Sequence, residues 1–302
     1  MSVSWRINRA RYGLDTWGEF FLRCIDSLTS KIFAERTHFY ESVRAKRLLK
    51  SDGSAYHIKD IKLPVLSNSD RNRLIFNIFD DTFTAHLLFN DNYDEKTFDL
   101  CDSMLPEGFY GLVNDKVNVT VESGDIVIDA GSWIGDFAAY ASVRGATTYA
   151  FEPVDSTFAI LEKTAELNGR IIPVKKGLSD KKDDVPLFLN TADDSSANSL
   201  RIKPEADKYV KASSSVQVTT IDDFIRENHL PRVDFIKSDI EGFERRMLAG
   251  AQETLARFAP KLALCTYHLP DDPQVMAELI LKANPKYNIV QKRKKLFASV
   301  PE

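Results

Sequence analysis

The stretch VIDAGSWIGDF, residues 127–137, is an apolar run that ends in Asp129 and opens into two glycines four apart, Gly131 and Gly135. The β-branched run Ile126–Ala130 predicts a strand and residues 134–143 a helix, so the glycines fall at a strand-to-helix turn. Outward from it the pattern repeats. Strands are expected at Thr147–Glu152, Ile171–Lys175, Val185–Leu189, Val216–Thr219, Val233–Ser238 and Lys261–Tyr267, with a final pair near Tyr287–Gln291 and Leu296–Val300. Helices are expected at about 155–168, 220–228, 243–256 and 272–283, with Asp155 as an N-cap, Asn168-Gly169 as a stop and Thr220 with Asp223 as a capping box. Strands alternating with helices predict an α/β fold with a mostly parallel sheet, whose ligands sit beyond the carboxyl ends of the strands. Asp129, Asp239 and His268, where such strands run out, are therefore the positions to examine first.

The region before this core has a different texture. Apolar residues from Trp17 to Ile32 follow helical spacing, a second helical stretch from Phe39 to Leu49 stops at Ser51-Asp52-Gly53, and from Tyr56 to Leu112 the pattern is mixed. The chain thus divides into an N-terminal helical and mixed region, 1–115, and a core domain, 116–302. Aromatic residues at helical spacing in 1–115 are core or dimer contacts more readily than a cofactor box, which leaves a homo-oligomer through that region open. In the whole chain of 302 residues, 43% are hydrophobic, 28% are charged and the net charge is −4, an ordinary globular balance without the basic excess of a nucleic-acid partner. Three scattered cysteines, Cys24, Cys101 and Cys265, read as buried thiols in a reducing cytosol, not as a disulfide framework. No leader and no long apolar run is found, so a cytoplasmic protein without a membrane span is expected.

The turn itself is informative about its ligand. A dinucleotide loop reads GxGxxG, with glycines that let a pyrophosphate approach a helix N-terminus; here the pattern is DxGxxxG. Asp129 would repel a pyrophosphate and attract an ammonium, which suits a ligand with a cationic end and no phosphate, such as S-adenosylmethionine. Glu152, at the end of the next strand in YAFEP, stands where an acid accepts hydrogen bonds from a ribose diol. Ser179 and Asp180 fall where an adenine edge could be met, an ordinary turn being the equal alternative. The missing third glycine and the lack of a Tyr-x-x-x-Lys pair disfavour a nicotinamide-dependent oxidoreductase. A catalytically silent adenosyl-binding module, recruiting a partner through residues 1–115, is a further alternative.

The segments GDIVIDAGSWIGDFAAYAS, AFEP, KKGLSDKK, VTTIDDF, VDFIKSDIEGFERRMLAGA and YHLPDD, in this order over about 120–285, together resemble the FkbM-type family of S-adenosylmethionine-dependent methyltransferases. The resemblance implies a Rossmann-like, seven-stranded class I methyltransferase sheet. It also implies an O-methyltransferase acting on a hydroxyl of a sugar, glycolipid or other secondary metabolite.

In IKSDIEGFE the strand Val233–Ser238 ends at Asp239, with Glu241 two residues on and Gly242 at the bend, so two carboxylates could face the cofactor's methyl group. Methyl transfer needs the acceptor oxygen held about 3–3.5 Å from the methyl carbon and its proton removed as the bond forms. Asp239 is the candidate to orient that hydroxyl or take its proton, but an aspartate with a pKa near ~3.9 needs help. His268 is the preferred helper as a general base. Mg²⁺ on Asp239 and Glu241 ranks second, because no third carboxylate is placed to complete an oxygen shell, so no metal site is assigned. Asn168 reads as a C-cap and Glu244 as an acid expected in a first turn; Asp193–Leu200 suits a loop closing over substrate or, at least equally, a plain surface linker, and the run Lys292–Lys295 suits a solvated hairpin more readily than a contact to an anionic substrate or lipid surface. Lys237, inside a strand, is odd unless it pairs with a carboxylate.

Overall fold

Residues 50–71, 74, 91–102, 109–190, 198–200 and 209–301 are described by the computed structural model. The two N-terminal helical stretches, the runs around Phe76–Phe79 and Leu87–Phe89, and most of the 193–200 loop lie outside the described residues. In chain order the elements are β1 (Lys50–Ser51), β2 (Ala55–Ile58), β3 (Ile61–Pro64), α1 (Glu95–Asp102), β4 (Leu112–Val113) and β5 (Asn118–Val119). There follow β6 (Ile126–Ala130), α2 (Asp136–Val143), β7 (Thr147–Phe151), α3 (Asp155–Asn168), β8 (Ile171–Val174), β9 (Gly177–Leu178), β10 (Asp183–Asn190), β11 (Tyr209–Thr219) and α4 (Ile221–Glu227). The last are β12 (Phe235–Ser238), α5 (Glu244–Ala249), α6 (Gln252–Arg257), β13 (Lys261–Cys265), α7 (Asp272–Ala283), β14 (Asn288–Lys292) and β15 (Lys295–Ser299).

Seven of these strands form one sheet in the order β14-β15-β13-β12-β6-β7-β8. Neighbours pair in parallel except for β15, which runs antiparallel to both β13 and β14. The expected seven-stranded, mostly parallel sheet is therefore present. Helices cover both faces. One apolar cluster contains Phe137, Ala138 and Leu161 from α2 and α3; the other contains Phe224, Met247, Leu255, Met276 and Ile280 from α4 to α7. Described residues on both sides of the 115/116 boundary share the first core, since Ile61, Leu63, Phe98 and Phe109 pack into it. Asn168 clamps this junction: its side chain accepts from the Lys62 N–H and donates to the Lys62 carbonyl, besides closing the C-terminus of α3.

Three expectations are corrected. Val185–Leu189 and Val216–Thr219 are strands, but they belong to a separate three-stranded sheet, order β10-β11-β9, in which β10 buries every second residue over Val185–Leu187 in the way of a one-sided antiparallel hairpin. The helix expected over 243–256 is broken into α5 and α6 at Gly250, where a Cβ would come within 2.2 Å of the Ser179 carbonyl oxygen. Gly53 takes a left-handed φ of 90°, but it turns the β1–β2 hairpin instead of ending a helix. Thr220 caps α4 as expected, accepting from the Asp223 N–H.

The sheet places β6 between β12 and β7, and the chain leaves β6 towards one side and returns to β12 from the other. A crevice outside the carboxyl ends of β6, β7 and β12 follows from that reversal of strand order.

Candidate active site

At the crevice the turns after β6 and β12 touch. Gly131 has a φ of 75°, and a Cβ there would lie 1.9 Å from the Asp239 carbonyl oxygen, so this position needs glycine for both conformation and space. Beyond the contact opens a cleft lined by Gly131, Trp133, Glu152, Leu178, Asp239 and Glu241 among others. Its lining mixes apolar side chains with a few convergent carboxylates, as sites for small organic ligands do.

Asp129 is not on its wall. The carboxylate is fully buried and forms an ion pair of 3.0 Å with Lys237. The two residues are register partners on β6 and β12, which is why a lysine stands inside a strand. Lys237 Nζ also donates to the Gly131 carbonyl at 2.8 Å and lies over the rings of Tyr110 and Phe137. Burial pushes this ammonium down, and the charges of Asp129, Asp239 and Asp136 outweigh it and push it well up. The charge that the sequence aimed at a cationic ligand is thus neutralised inside the sheet, where the pair pins the glycine turn.

Glu152 does reach the cleft, from the end of β7. Its Oε1 accepts the Val154 N–H at 2.9 Å, and the Trp133 N–H also bonds the carboxyl. Burial pushes the carboxyl up to about 8, against the pull of these two N–H groups and of Lys237.

Across the cleft, Asp239 and Glu241 meet His268. The imidazole Nε2 lies 3.6 Å from Asp239 Oδ1 and 3.6 Å from Glu241 Oε2, and Nδ1 lies 3.1 Å from Glu244 Oε1. Glu241 takes a left-handed φ of 56°, followed by Gly242 at 99°, and this bend turns the second carboxylate back towards the first. Glu244 is fully buried and accepts the N–H groups of Ile240 and Gly242, so the acid in the first turn of α5 holds the whole loop. On the far side, the acids of YHLPDD are held by Arg245: its Nε donates to Asp272, its Nη2 donates to Asp271, and Asp272 also accepts the Leu269 N–H. That fixes the segment carrying His268, which follows the end of β13 as a loop and not, as expected, a strand running through Tyr267.

Burial pushes the Asp239 carboxyl up, but His268, Lys237, Lys295 and the Tyr110 hydroxyl together hold it down at about 2. The Tyr110 hydroxyl donates to Asp239 Oδ2 at 3.0 Å and that of Tyr267 to Oδ1 at 3.3 Å. Asp239 is thus ionised at neutral pH and a weak proton acceptor.

Several expected contacts are not brought to the cleft. Where Gly135 has no Cβ, one would lie 2.6 Å from Leu161, so this glycine packs α2 against α3. Ser179 is buried and donates to Asp180, which is exposed on the surface; Gly177 and Leu178, two residues earlier, line the cleft in their place. The basic run is not simply solvated, because Lys295 is fully buried with its ammonium 4.0 Å from the Tyr110 ring centroid. Tyr110, Trp133, Lys295 and Tyr267 were missed. A basic run that leads directly into the apolar strand residues Leu296–Ala298 was the available signal for Lys295; for Tyr110, remote in the chain, there was none.

Residues 129–287 match the model of the methyltransferase FkbM domain, half of the chain or slightly more. The hexuronic acid methyltransferase AglP of Haloferax volcanii is 27% identical over 165 residues, which is 54% of this chain and 64% of that protein, so the chain spans less than two thirds of the curated relative. Among solved structures, methyltransferase FkbM from Methylobacillus flagellatus KT aligns with a TM-score of 0.45 at 19% identity, covering 78% of this chain and 56% of that one. Aeropyrum pernix fibrillarin, solved with natively bound S-adenosyl-L-methionine, aligns with a TM-score of 0.37 at 12% identity over 61% of this chain and 70% of its own. With the family's domain laid over β6 to α7, from the pinned glycine turn through the Asp239 loop to His268, the chain belongs to the FkbM methyltransferase family.

Proposed function

We propose that the cleft binds S-adenosylmethionine and that the protein transfers its methyl group to a hydroxyl of a saccharide. One observation carries this reading: Glu152 lies on one side of the Gly131 turn and Asp239 with Glu241 on the other, all lining a single cleft. An acid suited to a ribose diol and a carboxylate set suited to an acceptor are thereby separated by the turn that would face the cofactor's amino acid portion. The saccharide is suggested by the hexuronic acid named for the archaeal relative.

When bound, the cofactor supplies an electrophilic methyl group. Glu152 would hold the ribose, and the Trp133 ring, itself buried at the cleft wall, would exclude water from the nucleoside. Asp239, ionised and fixed by two tyrosine hydroxyls, would orient the acceptor hydroxyl, and Asp239, Glu241 and His268 form the pole through which its proton leaves. The acceptor oxygen would gain the methyl group while its proton passes at this pole to solvent water, and the electron pair of the broken carbon–sulfur bond stays on sulfur in S-adenosylhomocysteine. Asp129 enters only through Lys237 and the turn they hold.

The test separates the two poles. Calorimetry with S-adenosylhomocysteine should show weakened binding in Glu152→Ala and affinity within about twofold of wild type in Asp239→Asn and His268→Ala, while the latter two lose methyl transfer to a uronic acid glycan by about 10²-fold or more. Equal cofactor affinity in all three variants and wild type would remove the assignment of the poles.

A further inference from the structure

We infer that Asp239, Glu241 and His268 hold a divalent cation, and that the acceptor binds through it. The three side chains offer one donor atom each, all within 4.8 Å of one another. The two distances from the imidazole, 3.6 Å to each carboxylate oxygen, are too long for hydrogen bonds. They are the right spacing for ligands of one ion, since bonds of about 2.1–2.2 Å put neighbouring donors about 3 Å apart and opposed donors about 4.3 Å apart.

The surroundings of the imidazole give an independent reason. His268 has a side chain only 4% exposed, and its Nδ1 lies 3.1 Å from Oε1 of Glu244, a carboxylate fixed by two backbone N–H groups. Nδ1 thus faces a fixed carboxylate at ion-pair distance, while Nε2 on the other side of the ring faces Asp239 and Glu241. A buried carboxylate behind one ring nitrogen and a ligand position in front of the other is the arrangement by which proteins orient metal-bound histidines. Tyr110 and Tyr267 do the same for Asp239 by donating to its two oxygens. The third donor that carboxylate spacing could not supply from sequence is therefore an imidazole contributed by the loop after β13.

Charge points the same way. Three carboxylates, Asp239, Glu241 and Glu244, surround this imidazole; Lys237 is paired with Asp129, and it and Lys295 also act on Asp239. One nitrogen and two oxygen donors, with positions left open to the cleft, suit a six-coordinate ion of the manganese class better than a closed tetrahedral zinc site. The open positions would take two neighbouring oxygens of the acceptor, such as a vicinal diol or a hydroxy-carboxylate. Binding there lowers the pKa of the reacting hydroxyl, so its proton passes to water while the imidazole serves as a ligand. Only this role rests on the methyltransferase reading; occupation of the site does not.

The experiment titrates the full-length, chelator-treated and dialysed protein with Mn²⁺, following loss of the free-ion signal by electron paramagnetic resonance, with S-adenosylhomocysteine calorimetry on the same samples. One Mn²⁺ per chain is expected, with the dissociation constant raised about 10-fold or more in Glu241→Gln and in His268→Ala, and left unchanged in Asp180→Asn, an exposed control. Should His268→Ala fail to fold, the isosteric Glu241→Gln decides alone. No loss of signal at millimolar Mn²⁺, or stoichiometric binding indifferent to Glu241→Gln, overturns the inference. Mn²⁺ binding of the expected kind without any S-adenosylhomocysteine binding would support the metal site and sink the cofactor reading; the reverse pattern would do the opposite.

Discussion

S-adenosylhomocysteine should bind more tightly as the pH rises from about 6.5 to about 9, and Glu152 should be the cause. Its carboxyl is pushed up to about 8 by burial in the empty cleft, although two backbone N–H groups pull it back. A ribose diol brings two O–H donors, and both can be accepted only by the ionised form. With a pKa of about 8, roughly one site in ten is ionised at pH 7, so binding there must first release a proton at a cost of about 1.4 kcal/mol, about tenfold in affinity. Above about pH 9 the cost disappears. Isothermal calorimetry in buffers of different ionisation heat reads the linkage directly: release should approach about 0.9 proton per ligand at pH 7 and fall towards zero at pH 9. Glu152→Gln, neutral at every pH, should bind weakly with a flat profile. A flat wild-type profile, or an equally steep one in Glu152→Gln, would refute the ribose role of Glu152.

The same group makes the opposite demand on the empty protein. Its folded-state value, about 8, lies above the ordinary 4.5, so between those limits the native state holds a proton that the unfolded chain has lost. Stability contributed by the protonated form is complete below about 4.5 and is lost as the pH rises through about 8. Thermal melts of the ligand-free protein should fall over that window, and saturating S-adenosylhomocysteine should offset the fall.

Lys237→Met leaves Asp129 buried without its cation and should cost about 3–5 kcal/mol in urea unfolding, whereas Asp129→Asn combined with Lys237→Met should recover most of that; a double variant no better than the single would show that the pair does not act as a unit. Gly131→Ala drives a methyl group into the Asp239 carbonyl at a φ of 75° and should abolish cofactor binding in whatever protein still folds, while Gly169→Ala, with nothing within 4 Å, meets only the backbone strain of a φ of 64° and ψ of −175° and should cost about 1–3 kcal/mol with cofactor binding kept. Ser238 buries a hydroxyl with no hydrogen-bond partner among the described residues, so Ser238→Ala should leave the melting temperature equal or higher, by up to about 1 kcal/mol of stability. A clear drop would mean that the hydroxyl is satisfied after all.

What could be read from the chain in advance follows a physical division between periodic and paired information. The sheet was legible because strand and helix periods are local, and the caps at Thr220 and Asn168 lie within three or four residues of the groups they satisfy. Strand ends were legible too, and Glu152, Asp239 and Glu241 do line the cleft. Which way an end residue faces is not local. Asp129 sits at a strand end like Glu152, yet its register partner on β12 is a lysine, and that pairing, between residues 108 apart in sequence, turns it from a ligand contact into an anchor. The glycines divide in the same way: spacing found both, but only their distant neighbours, Asp239 for one and Leu161 for the other, decide that Gly131 borders the cleft and Gly135 packs helices. His268 shows the limit most sharply. Its place after a strand made it a candidate base, but whether an imidazole takes a proton or a metal depends on what lies behind it. Here that is Glu244, whose carboxylate spends its other bonds on the loop between Asp239 and the helix, so the residue that looked like a first-turn acid orients the imidazole of the pole.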